Sequence, residues 1–235
     1  MIQEKKMVKD ILFDLDDTLF DFHADEHVAL TKTFAEMQIP LDDAVCARYS
    51  VINLAQWKAL ERGEITREQV KLRRFELLFA ELGYGAEQAA LAAKIYHKRL
   101  AEDFHYMEGA PELLEELTGK YRMFLISNGT LSVQEGRLAK SGIGRYFDGI
   151  FISEVLGAEK PSREFFDLAF AEITDFDPVQ AVIVGDSLTS DIQGGINAGV
   201  RTIWFNPKGA LPDPEIPADH EIRELKDLSE LLRTL

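Results

Sequence analysis

The chain carries ILFDLDDT at residues 11–18, where an apolar run passes directly into aspartates. The apolar run predicts a buried strand, and alternate residues of a strand point to the same side. Asp14 and Asp16 therefore share one face, with their carboxylates roughly 6–7 Å apart. Because a phosphorus centre fits between two such carboxylates, this stretch predicts the first strand of an α/β core and part of a phosphoryl-transfer site.

Three later segments also place polar residues just past apolar, strand-like runs. They are LISNG at 125–129, EKPS at 159–162 and GDSLTSD at 185–191. Open α/β sheets bind ligands at the carboxyl ends of their strands. We therefore expect the four segments to form a single site.

Each segment alone has an ordinary structural explanation. Asp-Asp-Thr is common in turns and at helix N-caps, and Lys-Pro-Ser suits the start of a helix. Asp191 can simply favour the first turn of a helix that ends before Gly199. The occurrence of all four segments in this order favours a functional site.

Five apolar runs predict strands, with helical periodicity between several of them. The runs lie near 8–14, 121–127, 149–153, 181–186 and 201–205, and a Pro-rich loop at 206–217 precedes a final strand and helix. We predict a doubly wound parallel α/β sheet with a Rossmann-like core, formed by residues 1–21 and 105–235.

Residues 22–104 interrupt this pattern and contain no strand-like run. Helix-like runs occupy 24–38, 42–61, 66–82 and 86–103. We predict an inserted all-helical cap subdomain over the phosphate site, hinged at 16–23 and 104–111. Its closure would exclude water and select the leaving group.

The two aspartates of the first segment suit different chemical tasks. An ionised Asp14 can attack phosphorus and form an aspartyl-phosphate. Asp16 can then protonate the leaving alkoxide as a general acid and later activate water as a base. A carboxylate that attacks an anion needs positive charge, and Mg²⁺ prefers oxygen ligands. We expect Asp14 and Asp186 to bind Mg²⁺ directly, with the backbone carbonyl of Asp16 as a third ligand and Asp191 acting from further out.

The phosphate needs its own partners. Lys160 offers a compact positive charge, and we expect Thr18, Ser127 and the loop at Asn128 to bind phosphate oxygens. A phosphate of about two negative charges and the three metal-site carboxylates exceed the charge of Mg²⁺ and Lys160 by about two. We therefore expect an arginine from elsewhere in the chain to approach the site.

The chain resembles the haloacid dehalogenase-like hydrolase superfamily over nearly its whole length. The resemblance implies that Asp14 is the nucleophile and Asp16 the acid/base. It also implies that Ser127 and Lys160 contact phosphate and that Asp186 and Asp191 are the metal acids. Dehalogenases and phosphonate-cleaving members lack an acid at the position of Asp16, so the resemblance implies a phosphatase or a phosphomutase.

A narrower resemblance is to the pyrimidine 5′-nucleotidases of this superfamily. It is carried by INLAQW at 52–57, ERGEITRE at 61–68, RRF at 73–75, GDSLTSDIQGGINAGV at 185–200 and WFNP at 204–207. The resemblance implies nucleoside monophosphates as substrates, including non-standard pyrimidine forms. This is a role in nucleotide metabolism with a small phosphorylated metabolite as the partner.

The predicted insertion contributes the six candidates for substrate specificity. They are Phe22, His23, Asn53, Trp57, Arg62 and Arg74. An aromatic ring can stack on a base, but a tryptophan at helical spacing with leucines is also typical of a core. Basic pairs commonly lie on solvated faces. His23 can act as a general acid, although Asp16 already has that role.

Composition excludes several other classes of protein. The 235 residues include 41 acidic and 26 basic side chains, for a formal charge of −15, which disfavours polymeric nucleic acid as a partner. Cys46 is the single cysteine, so no intrachain disulfide is possible. We find no signal peptide and no membrane-spanning run, and we expect a cytoplasmic location.

Three alternative functions stay open at this point. A sugar-phosphate phosphatase or a phosphomutase needs the same core with a different cap. A phosphoaspartate receiver module also combines acids, Ser/Thr and Lys, but in a different order along the chain. A non-enzymatic binding protein has no need of Asp14, Asp16 and Lys160 together.

Overall fold

The central strand of the protein is β1 (Asp10–Phe13), in which all four residues are buried. In the computed structural model, which describes residues 7–235, this strand pairs in parallel with a neighbour on each side. A parallel strand that is covered on both faces needs a near-continuous apolar run. The first six residues of the predicted core segment lie outside the described residues.

The other strands complete a six-stranded parallel sheet. They are β2 (Arg122–Ser127), β3 (Gly149–Ile152), β4 (Ala181–Gly185), β5 (Arg201–Phe205) and β6 (His220–Ile222). Their order in the sheet is β3-β2-β1-β4-β5-β6, and every pairing is parallel. The predicted doubly wound parallel sheet is therefore confirmed, including the final strand after the Pro-rich loop.

The chain divides into two compact units. One contains the described residues up to Phe22 together with His105–Leu235, and the other is His23–Phe104. The second unit is built from four helices: α1 (Phe22–Glu36, whose first residue belongs to the other unit), α2 (Asp43–Glu61), α3 (Arg67–Glu81) and α4 (Ala86–Leu100). These helices correspond to the four runs that the sequence predicts, within a few residues at each end.

Local sequence explains where these helices begin and how they pack. The Asp42 side chain accepts a hydrogen bond from Val45 N at the start of α2. Thr66 and Gln69 form a capping box at the start of α3. Between the helices, four buried rings pack with neighbouring centroids 5.0–6.3 Å apart: Tyr49, Phe75, Phe79 and Tyr96. None of the helices within residues 7–235 is long and apolar enough to cross a bilayer.

The sheet unit has its own helices. They are α5 (Ala110–Leu117), α6 (Leu131–Ser141), α7 (Ser153–Leu156), α8 (Arg163–Ala171), α9 (Gln193–Ala198) and α10 (Asp227–Thr234). Phe165 and Phe166 of α8 belong to the core cluster that also includes Leu12, Ile126 and Ile183 of the strands. A π-helical turn at Leu188–Ile192 leads into α9, which ends before Gly199 in the left-handed conformation.

The close approach of α9 to the sheet yields a stability prediction. A Cβ atom on Gly195 would lie 2.5 Å from Ile183 Cγ2 and 2.6 Å from Thr202 Cγ2. We expect Gly195→Ala to lower the free energy of unfolding by about 1–3 kcal/mol, because an added methyl overpacks a filled interior. Urea unfolding measures the change.

The matched control is Gly144→Ala, whose Cβ would meet only Ile150 Cδ1, at 3.7 Å. We expect this control to unfold close to the wild-type midpoint. Equal destabilisation by the two variants would contradict the close packing at Gly195.

Candidate active site

Asp14 stands at the carboxyl end of β1, where the chain leaves the sheet. Its backbone N–H donates to Val184 O at 2.9 Å, which continues the pairing with β4 and fixes the start of the loop. The carboxylate accepts one hydrogen bond from Lys160 Nζ at 2.7 Å and another from Thr18 Oγ1 at 3.1 Å. The side chain is therefore oriented from two sides while little of it reaches solvent.

Lys160 is the buried positive charge of this cluster. Its ammonium donates to Asp14 Oδ1 and Asp191 Oδ1, each at 2.7 Å, and to Ile126 O at 3.0 Å. An ammonium has three protons, so all its donors are used. Burial acts to lower the pKa of Lys160, but the Asp14 and Asp191 carboxylates outweigh it, and the net shift is upward. The lysine therefore carries its charge inside the protein.

Asn128 positions the backbone that carries this lysine. Its Oδ1 accepts from Lys160 N at 2.9 Å, and its Nδ2 donates to Lys160 O at 2.8 Å. The Asn128 side chain thus donates one hydrogen bond to the Lys160 backbone and accepts one from it. These two bonds join the LISNG and EKPS segments directly.

Asp186 and Asp191 follow β4. Asp191 is fully buried, and its Oδ2 accepts from Ser187 N at 3.1 Å. A Cβ atom on Gly185 would lie 2.3 Å from that same oxygen, which explains the glycine at this position. The indole N–H of Trp204 donates to Asp186 O at 2.8 Å, so β5 also fixes the loop.

Thr18 lies between two of the carboxylates. Its hydroxyl is 3.1 Å from Asp14 Oδ2 and 3.4 Å from Asp186 Oδ1, and it accepts from Asp186 N at 3.1 Å. The side chain is completely buried. We predicted that Thr18 binds phosphate oxygens, whereas the structure gives it carboxylate and backbone partners.

Asp14, Asp186 and Asp191 have the chemistry of a metal site. Each offers a carboxylate oxygen, and these atoms lie within 4.8 Å of one another. Burial, followed by repulsion from Asp191, raises the pKa of Asp14 to about 7. Burial and the Asp14 and Asp191 charges raise the pKa of Asp186 well above its usual range. Three crowded carboxylates with one buried lysine are short of positive charge, so the donor set fits a divalent cation.

Asp16 lies outside that carboxylate cluster and contacts helix α6. Its Oδ2 accepts from Gln134 Nε2 at 2.7 Å, and its Oδ1 pairs with Arg137 Nη1. Gln134 Nε2 also donates to Ser127 Oγ at 2.9 Å. Sequence reasoning missed Gln134 and Arg137. The available signal was a glutamine and an arginine one turn apart on the helix that follows LISNG.

The candidates in the helical unit have diverse surroundings. Asn53 and Arg74 are buried and bonded to each other through Arg74 Nη1 and Asn53 Oδ1 at 2.8 Å, and Asn53 Nδ2 donates to Glu26 Oε2 at 2.7 Å. Arg62 is exposed and forms a two-pronged ion pair with Glu64. Asn53 and Arg74 thus belong to a buried network inside the unit.

Three further candidates are more accessible than that network. Trp57 is half-buried, with the Arg67 guanidinium carbon 5.9 Å from its ring centre. His23 is exposed near the start of α1. Phe22, in the sheet unit, has its ring centre 5.9 Å from the guanidinium carbon of Arg137.

The buried lysine gives a testable prediction about stability. We expect Lys160→Met to lower the free energy of unfolding by about 3–5 kcal/mol, because two buried carboxylates lose their counter-charge. The measurement is urea unfolding without divalent cations.

Lys120→Met serves as the control, because Lys120 is exposed and its Nζ lies 3.6 Å from Glu116. A surface ion pair contributes about 0–1 kcal/mol. A similar loss in the two variants would contradict the importance of the Lys160 contacts.

Comparison with known proteins places this site in a family. The sequence profile of the haloacid dehalogenase-like hydrolases matches residues 11–205. HAD-hydrolase YfnB of Bacillus subtilis is 40% identical, over 97% of this chain and 96% of its own. The pyrimidine 5′-nucleotidase PynA of Streptococcus pneumoniae is 38% identical over 95% of this chain and 94% of its own. The pyrimidine 5′-nucleotidase YjjG of Escherichia coli is 32% identical over 92% of this chain and 96% of its own.

A solved structure supports the same assignment. The magnesium-bound crystal structure of YfnB superimposes with a TM-score of 0.92 at 39% identity, covering 97% of this chain and 99% of that one. The resemblance inferred from the four sequence motifs is thereby confirmed. The chain belongs to the haloacid dehalogenase-like hydrolase family.

Proposed function

We propose that this protein is a Mg²⁺-dependent phosphatase that hydrolyses nucleoside 5′-monophosphates, in particular pyrimidine and non-standard pyrimidine forms. The observation that carries the proposal is the buried cluster in which Lys160 joins Asp14 to Asp191, with Asp186 beside them. The similarity to PynA and YjjG, which bear the name pyrimidine 5′-nucleotidase, supports the choice of substrate.

Asp14 is the nucleophile in this proposal. Its carboxylate oxygen forms a bond to phosphorus as the ester P–O bond breaks, which gives an aspartyl-phosphate. Lys160 and Thr18 hold the carboxylate through hydrogen bonds of 2.7 and 3.1 Å. The lysine also lowers the repulsion between this carboxylate and the incoming phosphate.

Asp16 moves the protons. It gives a proton to the leaving ester oxygen, so that the nucleoside departs as an alcohol. It then takes a proton from the water that attacks the aspartyl-phosphate, which releases inorganic phosphate and restores Asp14. The second step thus returns to Asp16 the proton that it gave up in the first.

Mg²⁺ would be held by Asp14 and Asp186, with Asp191 and the backbone carbonyl of Asp16 as further donors. When bound, the ion supplies positive charge to the phosphate oxygens during transfer. Asp191 uses one oxygen on Lys160 and the other on Ser187 N, which suits an outer, orienting role.

Ser127 is the proposed hydroxyl ligand of the phosphate. Its oxygen accepts from Gly129 N at 3.0 Å and Gln134 Nε2 at 2.9 Å, so the hydroxyl proton can be donated to a phosphate oxygen. Thr18, whose hydroxyl meets carboxylates, is assigned to orienting Asp14 and Asp186. Backbone N–H groups near Asn128 complete the phosphate contacts.

Selection of the base is assigned to the more accessible candidates. Asn53 and Arg74 have buried partners in the helical unit, so we retain Phe22, His23, Trp57 and Arg62 as candidates for substrate specificity. The half-buried indole of Trp57 offers a face for stacking.

The test of this function is phosphate release from a substrate panel with Mg²⁺. The panel contains pyrimidine and purine nucleoside 5′-monophosphates, sugar phosphates and p-nitrophenyl phosphate. We expect the highest kcat/KM with pyrimidine nucleotides and the loss of nearly all turnover in Asp14→Asn.

Asp167→Asn is the matched control, because this exposed α8 carboxylate pairs only with the nearby Arg163 in the described contacts. It should turn over substrate at the wild-type rate. A preference for sugar phosphates would contradict the nucleotidase assignment while keeping the chemistry. Wild-type turnover by Asp14→Asn would contradict the covalent mechanism.

Cation binding can be tested without turnover. A ligand that binds only the folded state stabilises it by about 2.7 kcal/mol at 100 times its Kd. We therefore expect Mg²⁺ to raise the unfolding temperature of the wild type. This rise should be lost in Asp186→Asn and kept in Asp167→Asn, and an equal rise in all three proteins would contradict a site at the carboxylate cluster.

A further inference from the structure

Two buried side chains of helix α6 contact the carboxylate of Asp16. Gln134 Nε2 donates to Asp16 Oδ2 at 2.7 Å, and Arg137 Nη1 pairs with Asp16 Oδ1. The two helical residues are also bonded to each other, from Arg137 Nη1 to Gln134 Oε1 at 3.1 Å. Both oxygens of Asp16 are therefore held by the same helix turn.

Burying the Arg137 guanidinium costs free energy of desolvation, which favourable contacts must offset. The side chain of Arg137 is 0% exposed, whereas that of Asp16 is 28% exposed. A desolvated guanidinium needs an opposite charge close by. Phe20 and Phe22 add ring contacts, with centroids 4.8 and 5.9 Å from the guanidinium carbon. The arginine is thus fixed in place, with its guanidinium directed at the partly accessible carboxylate of Asp16.

Gly129 makes room for this contact. A Cβ atom at that position would lie 2.0 Å from Gln134 Nε2. Because the same amide nitrogen reaches both Asp16 and Ser127, at 2.7 and 2.9 Å, the glycine of the LISNG segment permits a bridge between the two groups.

The sequence predicts an arginine that approaches the phosphate. Arg137 comes from the sheet unit, and its guanidinium pairs with Asp16, which is not one of the three carboxylates of the metal site. Its contacts favour a role in the geometry of Asp16.

We propose that Arg137 and Gln134 are positioning residues that hold the Asp16 carboxyl group in one orientation relative to the phosphate ligand Ser127. This inference rests on the proposed function, because it takes Asp16 to be the acid/base. Fixing one rotamer removes the entropy cost of finding it during each proton transfer. The benefit is largest when the leaving oxygen must be protonated as its bond to phosphorus breaks.

The test is a double-mutant cycle that uses two substrates. Wild type, Asp16→Asn, Arg137→Met and the double variant are compared with uridine 5′-monophosphate and with p-nitrophenyl phosphate. A nitrophenolate leaves without a proton, whereas a nucleoside alkoxide needs one. The parameter kcat/KM reports the steps up to departure of the leaving group.

We expect Arg137→Met to lower kcat/KM for uridine 5′-monophosphate about 10- to 100-fold, a part of what general acid catalysis contributes. For p-nitrophenyl phosphate kcat/KM should fall much less, with KM unchanged. In the Asp16→Asn background the Arg137 substitution should cause no further loss, because a residue that acts through Asp16 has nothing left to position. Arg137→Lys should recover part of the rate.

Arg122→Met is the matched control in the same unit. Two nitrogens of Arg122 likewise donate to a buried aspartate, Asp10, at 2.6 and 2.7 Å. The guanidinium carbon of Arg122 lies 5.7 Å from the Phe124 ring centre. The Arg122→Met variant should have a lower unfolding temperature but the wild-type kcat/KM for both substrates. Should Arg137→Met fail to fold, Arg137→Lys keeps the buried positive charge but loses the planar guanidinium, and it should show a smaller loss with the same dependence on the leaving group.

The outcomes separate this inference from the proposed function. If the wild type releases phosphate and the Arg137 and Asp16 losses multiply, or if both substrates slow equally, the positioning role is overturned and the function stands. If the wild type releases phosphate from neither ester, the proposed function fails and this inference fails with it.

Discussion

The buried ammonium of Lys160 is the contact on which the site depends. It joins the aspartate that follows β1 to an aspartate beyond β4, and it also meets the backbone of β2. Three neighbouring strands of the sheet are thereby tied together at their carboxyl ends. Asn128 also fixes the backbone of Lys160 through two hydrogen bonds. The four sequence segments therefore meet around one buried charge, the Lys160 ammonium.

The remaining electrostatics divide into two parts. One part holds Asp14, Asp186 and Asp191 against one lysine, and this shortage of positive charge favours the binding of a divalent cation. The other part pairs Asp16 with Arg137 of helix α6. The separation gives Asp14 and Asp16 different environments, as their proposed roles of nucleophile and proton carrier require.

The sequence predicts the sheet well because most of its strands are short, largely apolar runs between helical patterns, and the order of the motifs then predicts where the site lies. It does not predict partners that depend on packing. Arg137 reads as a solvated residue of an amphipathic helix, and only the fold shows that it is buried against Asp16. Thr18, Asn53 and Arg74 are predicted from residue type to bind substrate, and residue type indicates chemistry but does not indicate which neighbours satisfy their hydrogen bonds in the fold.

The central claim, that phosphate passes through Asp14, is tested most directly by stereochemistry at phosphorus. Hydrolysis of an isotopically labelled, chiral phosphorothioate monoester by the wild type reports whether the phosphoryl group is displaced once or twice. Each in-line displacement inverts phosphorus, so an aspartyl-phosphate intermediate predicts overall retention. Inversion would mean that water attacks the substrate directly and would contradict the role given to Asp14.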